Sequence, residues 1–290
     1  MISQISSFDE IILLANELEY PQAVINSMTE AASALPENLP VEMLAAPDTA
    51  EKGWAEIISR IPRWEEDNGI AQLAVTTAAA CLSRKKYQLD GISDEIYLDT
   101  MRCLSRFLKE TKEMRKIWAF DRGFWSWRQT GMLLFRLGTL EFEYRMLDHE
   151  EPLPEGLRPG DPVVSVHIPS DAVLKRDALD HSYSLAGKFF SSQAGGPWIQ
   201  NPPKAFLCDS WLLAPTLDIL LPDTSGIRTF SSDYKRYHEL QDDDAFYQWL
   251  YQLSAPIPNG NLPEKTSLQR SLKAHLLSGG HMGMAWGILR

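Results

Sequence analysis

The sequence predicts a chain in two parts, an all-helical N-terminal domain (residues 1–120) followed by an α+β or α/β domain (121–290) with helices flanking a sheet. Three observations carry this. Nothing before about Lys116 alternates convincingly with a period of two. After WAFDRGFWSWRQT the periodicity changes, and residues 132–146 read MLLFRLGTLEFEYRM, two alternating runs around a Gly-Thr pair. From there onward strand-like and helix-like segments interleave, without internal repeats or low-complexity tracts.

In Phe8 to Glu19, the residues Ile11, Ile12, Leu14 and Leu18 recur at helical spacing. Pro36, Pro40 and Pro47 exclude a long helix between Ala34 and Asp48. The run IAQLAVTTAAACLS within Gly69 to Tyr87 is apolar nearly all round, as in a helix buried on most sides. Ser93, followed by Asp94 and Glu95, is an N-cap with acids in the first turn, opening a helix with Tyr97, Met101, Leu104 and Leu108 on one face.

In the second part, Gly138-Thr139 fits a two-residue type II′ hairpin loop with glycine first. Leu133, Phe135, Leu137, Leu140, Phe142 and Tyr144 then share an apolar face, and Arg136, Glu141, Glu143 and Arg145 share the other. A strand VVSVHI ends at Pro169. A helix over Asp177 to Ser191 carries Leu185, Ala186, Phe189 and Phe190 as its buried stripe. A strand over Ala205 to Leu212, a short helix over Leu217 to Leu221, a strand over Ile227 to Tyr234 and a helix in DDDAFYQWLYQL follow. Thr266 opens a capping box with Gln269, and Gly279-Gly280 closes that helix before a terminal strand.

With 28 Lys and Arg against 39 Asp and Glu, the net charge of −11 argues against an extended nucleic-acid surface, which needs clustered cations. No segment approaches the roughly 18 consecutive apolar residues of a membrane span. Asp9 and Glu10 precede a short apolar run without a basic segment, unlike a secretory signal. Cys81, Cys103 and Cys208 are odd in number and widely spaced, which fits a reducing cytoplasm better than a disulfide framework or a zinc site. The six histidines never pair at close helical spacing, so no metal centre is expected.

The chain lacks a GxSxG elbow, an HExxH pair, a P-loop and a GxGxxG fingerprint. His167, at a strand end where a sheet opens, can take a proton near neutral pH, but by itself fits a structural, hydrogen-bonded strand-end histidine better. Glu141 and Glu143 offer a carboxylate base, or else a charged sheet face with cross-strand pairs. Cys208, Asp209 and Ser210 stand together without an adjacent base, the pattern of inert packing. The aromatic cluster Trp118, Phe120, Phe124, Trp125 and Trp127, beside Arg122 and Arg128, reads as the contact between the two parts more readily than as a stacking site.

Taken together, FDRGFWSWRQ, LFRLGTLEFE, VSVHIP, the helix ending LAGKFF, CDSWLLAPTLDILL and TSLQRSLKAHLLSGG resemble a bacterial family of GNAT-like acyltransferases, in which a helical N-acyltransferase domain precedes a GNAT-like C-terminal domain. The resemblance implies a mixed sheet in which two neighbouring parallel strands splay apart to admit an acyl-CoA thioester. Those strands are Val163 to Ile168 and Ala205 to Leu212, and the helix near Asp177 aims its N-terminus at the pyrophosphate. It implies acyl transfer from acyl-CoA, as co-substrate, to an amine or similar group of a small-molecule or peptide acceptor; the charge balance and hydropathy above point to no nucleic-acid and no membrane partner. His167 is the preferred base and Glu143 the second, with Lys175 and Arg176 as phosphate contacts. The chain departs from the family's Gln/Arg-x-x-Gly-x-Gly/Ala loop, having PSDAVLKRDALD without glycine. The alternative is therefore a non-catalytic small-molecule or peptide-binding protein that keeps the fold. A third reading is a hydrolase using Ser210 or Cys208.

Overall fold

The computed structural model describes residues 8–192, 195–253 and 256–290. The chain divides into two compact units, Met1–Leu137 with Ser192–Ile199, and Gly138–Ser191 with Gln200–Arg290.

The first unit is built from helices α1 (Phe8–Glu17), α2 (Gln22–Ala34), α3 (Ala50–Ile58), α4 (Trp64–Asp67), α5 (Ile70–Leu89), α6 (Asp94–Met101), α7 (Cys103–Arg115) and α8 (Gly123–Thr130). Helix α5 is the axis, with Leu73, Ala74, Val75, Ala78, Ala79 and Ala80 fully buried. Its alanines let α1, α2 and α8 approach closely, and burying such a face is what holds a helix in a folded domain. Two of the hydroxyls buried here find partners across helices: Tyr97 donates to the Ala80 carbonyl at 2.9 Å, and the Tyr20 and Thr77 hydroxyls lie 3.2 Å apart. Between α2 and α3 the prolines leave only a 3-10 turn, Val41–Ala45. The Ser93 hydroxyl caps α6 by accepting from the Ile96 N–H at 3.3 Å. In the aromatic segment Phe120 and Trp127 are buried, whereas Phe124 is exposed. The Arg128 guanidinium lies 4.3 Å from the ring centroids of both Trp125 and Trp127.

Strand β1 (Leu134–Leu137) closes this part of the chain. The second unit contributes β2 (Leu140–Met146), β3 (Pro162–His167), α9 (Arg176–Ser191), β4 (Phe206–Ser210), α10 (Thr216–Leu220), α11 (Gly226–Ser231), β5 (Tyr234–Leu240), α12 (Ala245–Trp249), α13 (Ser267–Leu277) and β6 (Met284–Leu289). The sheet runs β1-β2-β3-β4-β6-β5. It is mixed: β3 and β4 are parallel, while β2–β3, β4–β6 and β5–β6 are antiparallel. Gly138, first in the hairpin loop, has φ +72°, and a Cβ there would meet Ser182 of α9 at 3.2 Å. Ser182 turns its hydroxyl to the Leu140 N–H at 3.1 Å, which fixes α9 against the start of β2.

Several elements differ from the sequence reading. Ile227 to Tyr234, expected as a strand, is the short helix α11, and β5 starts at Tyr234. Strand β4 stops at Ser210 rather than Leu212, because the Ser210 hydroxyl accepts the Leu212 N–H at 3.1 Å and turns the chain into a 3-10 helix. Helix α9 opens at Arg176, and its fully buried positions are Leu179, Ser182, Ala186 and Phe190, a stripe rotated toward the helix start. Helix α12 ends at Trp249, shorter than DDDAFYQWLYQL suggested. The capping box forms as expected, Thr266 accepting from the Gln269 N–H and Gln269 from the Thr266 N–H, each at 3.1 Å.

Candidate active site

Alternation fixes what each strand presents. In β2–β3 the register pairs Glu141 with His167, Glu143 with Ser165 and Arg145 with Val163. In β3–β4 it pairs Val164 with Phe206 and Ser165 with Leu207. One face of the three strands therefore carries Glu141, Glu143, Arg145, Ser165, His167 and Asp209. The other carries Phe142, Tyr144, Val164, Val166, Phe206 and Cys208 and packs on α9, with the Phe206 ring edge-on to Phe142 and to Phe190, centroids 6.1 Å apart in each case.

The two residues the sequence offered as bases meet. His167 Nε2 lies 2.9 Å from Glu143 Oε2, a diagonal contact across β2 and β3. A carboxylate on Nε2 selects the tautomer protonated there and makes Nδ1 the basic nitrogen. Glu143 is buried, and the imidazole beside it supplies the polar partner that a buried carboxylate needs. Next to this pair, Arg145 donates its Nε to the Ser165 hydroxyl at 2.6 Å and both terminal nitrogens to Glu151 at 2.6 and 2.7 Å. This bidentate clamp holds the guanidinium still.

The backbone beneath these groups is open. β3 and β4 pair only through Val164↔Phe206 and Ser165↔Leu207, with the Val164 N–H donating to the Ala205 carbonyl and the Lys204 N–H to the Pro162 carbonyl. Beyond Ser165 and Leu207 the ladder ends, although both strands continue, β3 paired to β2 as far as His167 and β4 to β6 as far as Ser210. The two strands are therefore unpaired past Ser165 and Leu207, an open end of the ladder, or cleft, with His167 on one arm and Asp209 on the other. Asp209 was set aside in the sequence as part of a packing triplet. The signal that finds it is register: two residues past Leu207, it stands level with the residue two past Ser165. Asp209 keeps contact with solvent, and partial desolvation raises its carboxyl above the usual range while His167 and Arg145 pull it part-way back.

The other sequence candidates do not join this group. Cys208 turns to the opposite face at 1% exposure, where burial drives its thiol well up, and Ser210 spends its hydroxyl on the turn; neither is an activated nucleophile. Arg176 opens α9 but is bidentate to Asp233 at 2.6 and 2.9 Å and reaches Asp180 at 2.9 Å. Lys175 is exposed immediately before α9. Among the described residues no group of three or more His, Cys, Asp or Glu is placed to hold a metal ion, and no helix is long and apolar enough to cross a membrane.

A helical unit followed by a mixed sheet whose central parallel pair is only briefly joined is the architecture of a GNAT-like protein. Residues 9–132 match the N-acyltransferase N-terminal domain and residues 134–289 the GNAT-like C-terminal domain. The chain belongs to the acyltransferase family built from this pair of domains. No curated protein sequence matches it. Among solved structures it is similar to an acyltransferase in complex with decanoyl-CoA and teicoplanin, with a TM-score of 0.74 at 20% identity over 95% of this chain and 86% of that one. It is similar also to an acyltransferase mutant in complex with octanoyl-CoA (TM-score 0.75, 19% identity, 97% and 88% covered). A third likeness is to an acyltransferase in complex with CoA and 10C-teicoplanin (0.68, 18%, 97% and 99%).

Proposed function

We propose that this protein moves an acyl group from an acyl-CoA thioester to an amine on a small-molecule or peptide acceptor, with His167 as general base and Glu143 as the carboxylate that orients it. The observation that carries the reading is the short β3–β4 ladder. Its open end leaves strand-edge groups for a pantetheine-like amide chain, and the His167–Glu143 contact beside that end supports the reading that the pair acts on its thioester. Attack by the amine nitrogen needs one proton removed, and an imidazole held by a carboxylate does this near neutral pH. The first-turn N–H groups of α9 and the exposed Lys175 offer the phosphate contacts, whereas an anion must displace Asp233 and Asp180 to use Arg176. The structural neighbours were crystallised with CoA or its decanoyl and octanoyl thioesters, and two of them with a teicoplanin compound; medium-chain donors and glycopeptide amines are therefore the first substrates to try. Three cysteines outside any disulfide and a CoA-borne donor favour a cytoplasmic setting.

The experiment is a calorimetric titration with acetyl-, octanoyl- and decanoyl-CoA, followed by thiol release in the presence of amine acceptors. Binding of at least one thioester and amine-dependent release of CoA are expected. Failure of every thioester to bind, with tight binding of an unrelated ligand, would make the protein a binder that keeps the fold.

A further inference from the structure

A thioester leaving group raises a question that His167 does not answer. When the C–S bond breaks, the electron pair goes to sulfur, and an alkyl thiolate released into a cleft walled by carboxylates is costly unless it is protonated. A donor is needed on the far side of the thioester from the base.

Asp209 occupies that side. The parallel register Ser165↔Leu207 puts His167 and Asp209 level with each other, on one face, on the two arms of the cleft. Adjacent strands lie about 4.8 Å apart while paired, and these two residues come after the ladder has ended. A chain threaded between the arms thus has His167 on one flank and Asp209 on the other. Among the described residues no side chain hydrogen-bonds or ion-pairs with the Asp209 carboxyl, although Arg145 is close enough to feel its charge and is instead clamped by Glu151. Its register neighbour on β6 is the indole-bearing Trp286, an apolar flank that favours the neutral acid.

From this arrangement we infer that Asp209 is the general acid of the reaction, a catalytic residue that protonates the departing sulfur. The inference rests on the acyl-transfer reading above. In the step, the acceptor nitrogen forms the C–N bond and its proton passes to His167. The C–S bond breaks, the sulfur takes the proton of Asp209, and CoA leaves as the neutral thiol. His167 is left as imidazolium and Asp209 as carboxylate, and the proton returns from one to the other across the cleft, which resets both.

The test compares Asp209→Asn with wild type on two donors of the same shape, octanoyl-CoA and its selenoester analogue, in which selenium replaces the thioester sulfur. A selenolate is a weak base and departs without help. With the thioester, Asp209→Asn should turn over about a hundredfold more slowly at nearly unchanged KM. With the selenoester it should stay within about twofold of wild type, which also shows that the variant is folded. Equal losses on both donors would overturn the assignment and make Asp209 a structural or positioning group; no loss on either would remove it from the reaction. If wild-type protein bound neither donor, the acyl-transfer reading itself would fall, a result separate from either of these.

Discussion

The two faces of β2, β3 and β4 share one backbone and follow opposite rules. Facing α9, Phe142, Val164, Val166 and Cys208 are at most 2% exposed, and the hydroxyl that α9 brings to them, that of Ser182, is fully buried. On the reverse, Glu143, His167, Asp209 and Arg145 crowd the same span of strand. The difference teaches that the site is not an addition to the sheet. Every second residue builds the core, and the pleat then delivers the intervening residues to fixed spacings that a loop could not hold. The dry face sets the geometry and the charged face uses it.

The comparison breaks hardest from the dry side. Phe142→Ala removes a fully buried ring stacked edge-on with Phe206 and is expected to cost about 3–5 kcal/mol, read as a lowered denaturation midpoint. A loss under about 1 kcal/mol would show that this face is not what holds the sheet in register. On the charged face the same substitution should separate stability from chemistry. His167→Ala is expected to lower turnover by about a hundredfold or more with acyl-CoA affinity close to wild type, and to lower the unfolding midpoint by less than Phe142→Ala does, the cost being that of taking a polar partner from buried Glu143. If the midpoint fell as far as in Phe142→Ala, His167 would be a structural strand-end histidine and the base would be Glu143.

Two smaller perturbations sharpen the contrast. Gly138→Ala forces a side chain onto φ +72° and toward Ser182, and is expected to destabilise by about 1–2 kcal/mol through the turn that aligns β2 with α9. Calorimetric melting of that variant checks it, and an unchanged Tm would mean the hairpin accepts another turn type. The smallest effect has the opposite sign. Asp209 has a folded-state pKa raised above its unfolded value, so above the folded value its ionised form weighs against the native state, and the penalty fades as the pH falls through that value. Asp209→Asn should therefore raise Tm most at alkaline pH, above the folded value, and match wild type near pH 3, below the ordinary carboxylate range. A gain that does not change with pH would assign the effect to packing instead.

Much of this contrast was legible in the residues. The alternation in LEFEYRM and VVSVHI set both faces of β2 and β3, and the position of His167 at the strand end followed from Pro169. Capping chemistry marked Ser93 and Thr266 because an N-cap is a local event. The misread segment IRTFSSDY forms a six-residue helix, too short for a 3.6-residue period to show itself, and its β-branched residues imitate a strand. The strand after it, YKRYHEL, lies at the sheet edge, bears charge along its length and has a bulge between Arg236 and His238, so no alternation survived to be read. The His167–Glu143 contact was not readable, since it depends on which residues of two strands stand diagonally, a matter of register. Asp209 escaped notice for the same reason: only the parallel offset between β3 and β4 brings it opposite His167.

The brevity of the β3–β4 ladder also has a mechanical meaning. Pairing from Met146–Pro162 to Glu141–His167 binds β3 firmly to β2, and pairing from Leu207–Ile288 to Ser210–Ala285 binds β4 to β6, while the seam between the two groups is stitched at one end only. Such a sheet behaves as two stiff leaves joined by a short spine, able to spread or close at the free edge while each leaf keeps its own register. Amide deuterium exchange should map the leaves as slow and the unstitched end as fast. A ligand amide lying in the gap would act as the missing strand, and the exchange rates along the seam would then report its arrival before any chemistry had occurred.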